Sequence, residues 1–162
     1  MTRPFLTWPD KRLRRVAEPV SEITDEIRAL WDEMVEIMEA MPGYGLAAPQ
    51  IDVPLRLAVV DCSHERGRVI RLANPEILAS SSETFTYEEA SPNLQGVSAK
   101  VTRPARVTVS FTDASGDRIK QDFEDVWATS VQHQIDHMDG KMYFDRLSRT
   151  RRDMLMKKAK RR

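Results

Sequence analysis

Apolar residues recur at Ile27, Leu30, Trp31, Met34, Val35, Met38 and Met41, the three-and-four spacing of one buried helical face. Thr24 offers an N-cap for that helix. Asp25 and Glu26 put negative charge in its first turn, where the helix dipole favours it. Pro42-Gly43 stops it. Core packing accounts for this stretch in full, and its methionines need no cofactor. The preceding residues 1–20, rich in proline and arginine, read as an extended arm.

Strand-like runs follow. LRLAVVD at 55–61 is one, and RVIRLANPEIL at 68–78 holds another, with Asn74-Pro75 read as a break. Residues 83–89 alternate as a strand does. The runs 105–113 and 118–125 form a predicted hairpin joined across Ala114-Ser115-Gly116-Asp117. A second helix is predicted from about Val126 to His137 with Val131, Ile135 and Met138 on its apolar stripe. Gly140 stands where a helix end wants positive φ. A third helix is predicted over about 148–160. Helix, several strands, then helix argues α+β with a largely antiparallel sheet. No repeats or linkers break the chain, so residues 1–162 read as one domain with a basic C-terminal helix or tail at about 148–162.

Composition narrows the function classes. The chain has 162 residues, 41% apolar and 31% charged, with 25 lysines and arginines against 25 aspartates and glutamates. No global field draws it to DNA or to a membrane. The single cysteine, Cys62, excludes an internal disulfide and fits a reducing compartment. No apolar run approaches the roughly 20 residues that span a bilayer, and the first residues lack a signal-peptide core. A soluble, cytoplasmic protein is expected.

Two segments carry candidate chemistry. His133-Gln134-Ile135-Asp136-His137 holds two of the three histidines, four apart and so on one helix face, where both imidazoles can reach one metal ion. Two polar groups on a half-exposed helix would give the same pattern. The spacing resembles H-E-x-x-H, whose glutamate is the general base. Gln134 occupies that place, and an amide cannot take the proton of a metal-bound water. The second segment is Gly43-Tyr44-Gly45-Leu46-Ala47-Ala48-Pro49-Gln50. Its glycines let a peptide backbone approach, and the Gln50 amide suits a carbonyl or an oxyanion. A plain turn is the alternative.

Together these residues resemble the peptide deformylase family. GYGLAAPQ is similar to its G-x-G-x-A-A-x-Q motif and HQIDHMDG to its H-E-I-D-H-L-D-G helix. LTWPDKRLRRVAEPV, ANPEIL and KMYFDRLS extend the likeness over nearly the whole chain. The resemblance implies a mixed α+β fold around a central metal-binding helix. It implies removal of the formyl group from the N-terminal methionine of nascent polypeptides. It also implies a divalent metal (Fe2+, or Zn2+, Ni2+ or Co2+) held by two histidines and a cysteine of a third motif, E-G-C-L-S.

That third motif is altered. Ala90 takes the glycine position, Ser91 the cysteine, Pro92 the leucine and Asn93 the serine. A neutral hydroxyl is a poor substitute for a soft thiolate. In the family the N–H after the cysteine assists the oxyanion beside the first-motif glutamine, and Pro92 has no N–H. The metal ligands carried over are therefore His133, His137 and Ser91 in place of Cys. The catalytic positions are Gln134 in place of Glu, and Gln50. Gly45 and Leu46 are expected to line a pocket for an N-terminal Met peptide.

The expectation is a deformylase-like protein with weak or absent metal and little or no such activity. An alternative is an active amide hydrolase with a rearranged two-histidine site, completed by Glu88 or Glu89; those glutamates otherwise read as ion-pair partners of Arg103. A third reading is a ribosome- or peptide-binding regulatory module. It rests on the tail, which holds eight basic residues in 149–162 against Asp153 and could meet RNA phosphates or remain a solvated helix.

Overall fold

A computed structural model describes residues 3–161. Helix α1 spans Asp25–Ala40, and the Thr24 hydroxyl accepts the Ile27 N–H at 3.2 Å as its cap. Seven strands follow: β1 Gly45–Ala47, β2 Leu57–Val60, β3 Ile70–Ser80, β4 Thr84–Ser91, β5 Leu94–Pro104, β6 Arg106–Thr112 and β7 Arg118–Glu124. Helices α2, Asp125–Met138, and α3, Arg149–Lys160, complete the chain. The strands form a five-stranded sheet in the order β1-β2-β3-β6-β7 and a separate β4-β5 hairpin. Every strand pairing is antiparallel. No helix among the described residues is long and apolar enough to cross a membrane.

The sheet is covered on both faces, and β2 shows how. Side chains alternate across a strand, so Leu57 and Val59 pack with Trp31, Met34 and Met38 of α1. Ala58 and Val60 pack with Val131, Ile135 and Met138 of α2. Helix α2 also meets the β4-β5 hairpin. Enclosed on several sides, it has every residue from Ala128 to Met138 buried. Polar groups on such a helix must find partners within the protein. A third cluster joins Leu6, Leu13, Leu94, Val101, Tyr143, Phe144 and Leu155, seating the N-terminal arm and α3 on β5.

Three expectations are corrected. Asn74-Pro75 does not end a strand: β3 runs through it, with a register shift between Ala73 and Glu76. Asn74 adopts φ +50 there, and its side chain bonds both the N–H and the carbonyl of Val20. The arm is not wholly extended, because Lys11–Arg14 form a 3-10 turn. Residues 94–104, not read as a strand, are half of the β4-β5 hairpin. Its turn consists of Pro92 and Asn93, with Ser91 facing Leu94, and Pro followed by Asn suits a tight turn. Gly140 does take positive φ, at +75.

Candidate functional site

A cleft of about 490 Å³ opens between β1, the β4-β5 turn and α2. Gly45, Gln50, Ser91, Pro92, His133 and Gln134 all line it, so segments nearly 90 residues apart in the chain meet at one place. Tyr44 and Tyr87 stand on its walls. Leu46 does not: its side chain is fully buried against α1 and β2, which corrects the expectation that it lines the pocket. Gly45 is needed for close approach, because a Cβ there would lie 2.5 Å from both Gln134 Nε2 and Ser130 Oγ.

The two imidazoles face each other. His137 Nε2 lies 3.1 Å from His133 Nε2, while His133 Nδ1 lies 2.9 Å from a Glu89 carboxylate oxygen. The carboxylate can only accept, so His133 donates to it from Nδ1–H. Burial first, then the proximity of His133 and Arg103, drives the His137 pKa well below its ordinary value, keeping that ring neutral.

Behind His133 lies a buried ion network. Arg103 donates to both Glu89 oxygens at 2.7 and 2.8 Å and to Asp136 at 2.9 Å. Asp136 in turn accepts two bonds from Arg146. Burial alone would raise the Glu89 carboxyl. The hydrogen bonds from Arg103 and His133 outweigh it and hold the pKa at about 2. Glu89 is thus the ion-pair partner of Arg103 and supports His133 from its outer nitrogen rather than standing beside Nε2. Glu88 accepts the Ser98 hydroxyl. The carboxylate-completed site has no support in this geometry. Cys62 does not line the cleft: its Sγ lies 3.7 Å from the Val126 carbonyl and 3.9 Å from that of Tyr44, and burial pushes its thiol up to about 12.

The fit of a metal can be judged from the donors. Among the described residues no group of three or more His, Cys, Asp and Glu side chains converges. The Ser91 hydroxyl donates to Asn93 Oδ1 at 3.0 Å and is a neutral, hard donor where a thiolate would bind softly. With His137 Nε2 as a ligand, the neutral ring carries its proton on Nδ1, which is buried with no hydrogen-bond partner. Leaving that donor unmet costs roughly 1–3 kcal/mol, and metal-bound histidines normally have such an outer partner. These residues do not fit a three-ligand centre.

Gln134 is buried, and its Oε1 has no partner. The amide offers neither charge nor useful basicity at the position where the helix motif places a base. The sequence reading named Asn93 only as a replacement and gave no role to Asp136 or to the cleft-lining Ser130. Asp136 had one signal, since it lies three residues beyond His133 and so on an adjoining part of the same face.

The chain is similar to known proteins over nearly its whole length. The sequence model of the polypeptide deformylase family matches residues 2–153. The peptide deformylase of Afipia carboxidovorans is 45% identical over 96% of this chain and 92% of its own. That of Phenylobacterium zucineum is 40% identical over 98% and 95%. A crystal structure of a peptide deformylase from Legionella pneumophila superposes with a TM-score of 0.92 at 37% identity, covering 99% of this chain and 95% of that one.

Proposed function

The chain belongs to the polypeptide deformylase family, and on that premise we propose that it is a peptide-binding member with little or no deformylase activity. The observation that carries the reading is the donor set in the cleft. Two imidazoles stand with their Nε2 atoms 3.1 Å apart, a hydroxyl is committed to Asn93, and an amide stands at the base position. Hydrolysis of an amide needs an activated water and a group to take its proton. The imidazoles are engaged with Glu89 and with each other, and no carboxylate stands at the base position to take that proton. Loss of a general base is worth roughly 10²–10⁴-fold, and the oxyanion N–H that Pro92 lacks a further 10²–10³-fold or so. A divalent metal would bind weakly if at all.

The cleft itself retains the means to hold an extended peptide. β1 is an edge strand of the sheet and its Gly45 lines the cleft. Backbone at such an edge can add a strand from a ligand. The apolar walls from Met41, Pro42 and Val126 suit a methionine-like side chain at the peptide's N-terminus.

The test is hydrolysis of N-formyl-methionyl peptide by protein purified with iron or nickel supplied. The expected rate is at least roughly 10⁴-fold below that of an active family member, from the two losses above. Turnover at family-like rates sinks the reading.

A second role, contact with ribosomal RNA, is favoured by α3. Arg149, Arg151, Lys157, Lys158 and Lys160 are exposed on it. Among the described residues none of these five has a carboxylate partner, whereas Arg152 reaches Asp145. Such a surface favours phosphates by counterion release.

A further inference from the structure

Gln50 is the oxyanion-binding side chain of the deformylase centre, its residue type is intact, and its amide is already spent. The side chain is 1% exposed. Its Oε1 accepts the Ala47 N–H at 2.9 Å. Its Nε2 donates to Asn93 Oδ1 at 2.8 Å, and the other near oxygen is Ser91 Oγ at 3.4 Å. An NH2 group has two hydrogens, and both are directed at protein acceptors.

Asn93 is held firmly enough to keep that bond. Its Nδ2 donates to the carbonyls of Leu6 and Gln50 at 2.6 and 3.1 Å. Its own carbonyl accepts the Trp8 N–H at 2.8 Å. Its Oδ1 takes a second bond from Ser91 Oγ at 3.0 Å. The residue ties the N-terminal arm, a second 3-10 turn over Ala48–Ile51 that carries Gln50, and the β4-β5 turn into one buried network. Turning Nε2 toward a ligand oxygen would break its 2.8 Å bond to Asn93 Oδ1 and leave that buried oxygen with the Ser91 hydroxyl alone.

We propose that Asn93 is a latch that engages the Gln50 NH2 at the cleft wall and so removes the remaining side-chain donor for an oxyanion. The proposal rests on the reading that deformylase chemistry has been lost and adds a fourth cause to it. Its consequence is specific. Restoring thiol, N–H and carboxylate leaves the oxyanion unsupported by Gln50 as long as Asn93 stays. The shorter serine that the family motif carries at this position reaches less far and frees the amide.

The experiment compares two repaired proteins, Ser91→Cys/Pro92→Leu/Gln134→Glu with and without Asn93→Ser, loaded with nickel and matched for measured metal content. The expected result is a kcat on N-formyl-methionyl peptide roughly 10²-fold higher with Asn93→Ser, the usual worth of one oxyanion donor, at a KM within a few-fold. Equal kcat in the two proteins, measurable or not, overturns the latch. A second readout uses the chain without repairs. By NMR the Gln50 side-chain NH2 protons exchange slowly in the unaltered protein and faster in Asn93→Ser. Fast exchange in the unaltered protein also overturns it. Neither comparison depends on the unaltered chain's own turnover, whose rate decides the proposed function separately.

Discussion

Replacing Glu89 by glutamine removes the carboxylate that neutralises a fully buried guanidinium. Glu89 is 4% exposed and Arg103 1%, so solvent cannot take its place. With its pKa held at about 2 against an ordinary 4.5, Glu89 stabilises the folded state at neutral pH by roughly 3 kcal/mol, at about 1.4 kcal/mol per unit. Breaking one partner of a buried pair costs roughly 3–5 kcal/mol. Asp136 still faces Arg103, which places the expected loss near the lower figure. In a chain of this length that lowers Tm by about 10 °C. The folded-state pKa is depressed, so the contribution is complete above about pH 4.5 and vanishes as pH falls toward 2. Urea denaturation of both proteins at several pH values from 7 to 3 checks this. The gap between wild type and Glu89→Gln should be widest at neutral pH and narrow steadily below about pH 4.5. A gap under about 1 kcal/mol at pH 7, or one that stays constant to pH 3, would refute the account of this network.

Two further outcomes follow from the geometry. Gly140→Ala puts a Cβ at φ +75 and against the Arg14 carbonyl; a loss of at least roughly 1–3 kcal/mol in urea denaturation is expected, and an unchanged midpoint would contradict it. Lys157→Glu/Lys158→Glu/Lys160→Glu should weaken co-sedimentation with ribosomes and flatten its salt dependence, by about one unit of log-log slope for each phosphate no longer neutralised; unchanged binding at every salt concentration removes the RNA role.

Local chemistry was readable in the sequence, and long-range pairing was not. The α1 face, its Thr24 cap and the positive φ at Gly140 follow from neighbours a few residues apart, and the structure has them. The His133–His137 pair and Gln134 also follow from helical spacing alone. β5 escaped notice because LQGVSAKVTRP is interrupted by Gly96 and carries polar residues on an exposed hairpin, so its burial alternates weakly. Asn74-Pro75 reads locally as a breaker, yet a bulge and two bonds to Val20 let β3 pass through it. Leu46 sits in a motif whose neighbours face the cleft, and only strand alternation against β2 decides that its side chain turns inward. The pairing of a glutamate with Arg103 was anticipated, whereas Asp136 as its second partner, 33 residues away, needed the fold. Asn93 could be identified as a replacement. Its hold on Gln50, 43 residues distant, could not.

Metal content bears most directly on the central claim that the cleft donors no longer form a metal centre. Protein purified with nickel present, freed of loose ions by dialysis and measured by elemental mass spectrometry, is expected to hold far less than one ion per chain, with no change in His133→Ala. One firmly retained ion per chain, lost in His133→Ala, would contradict the claim.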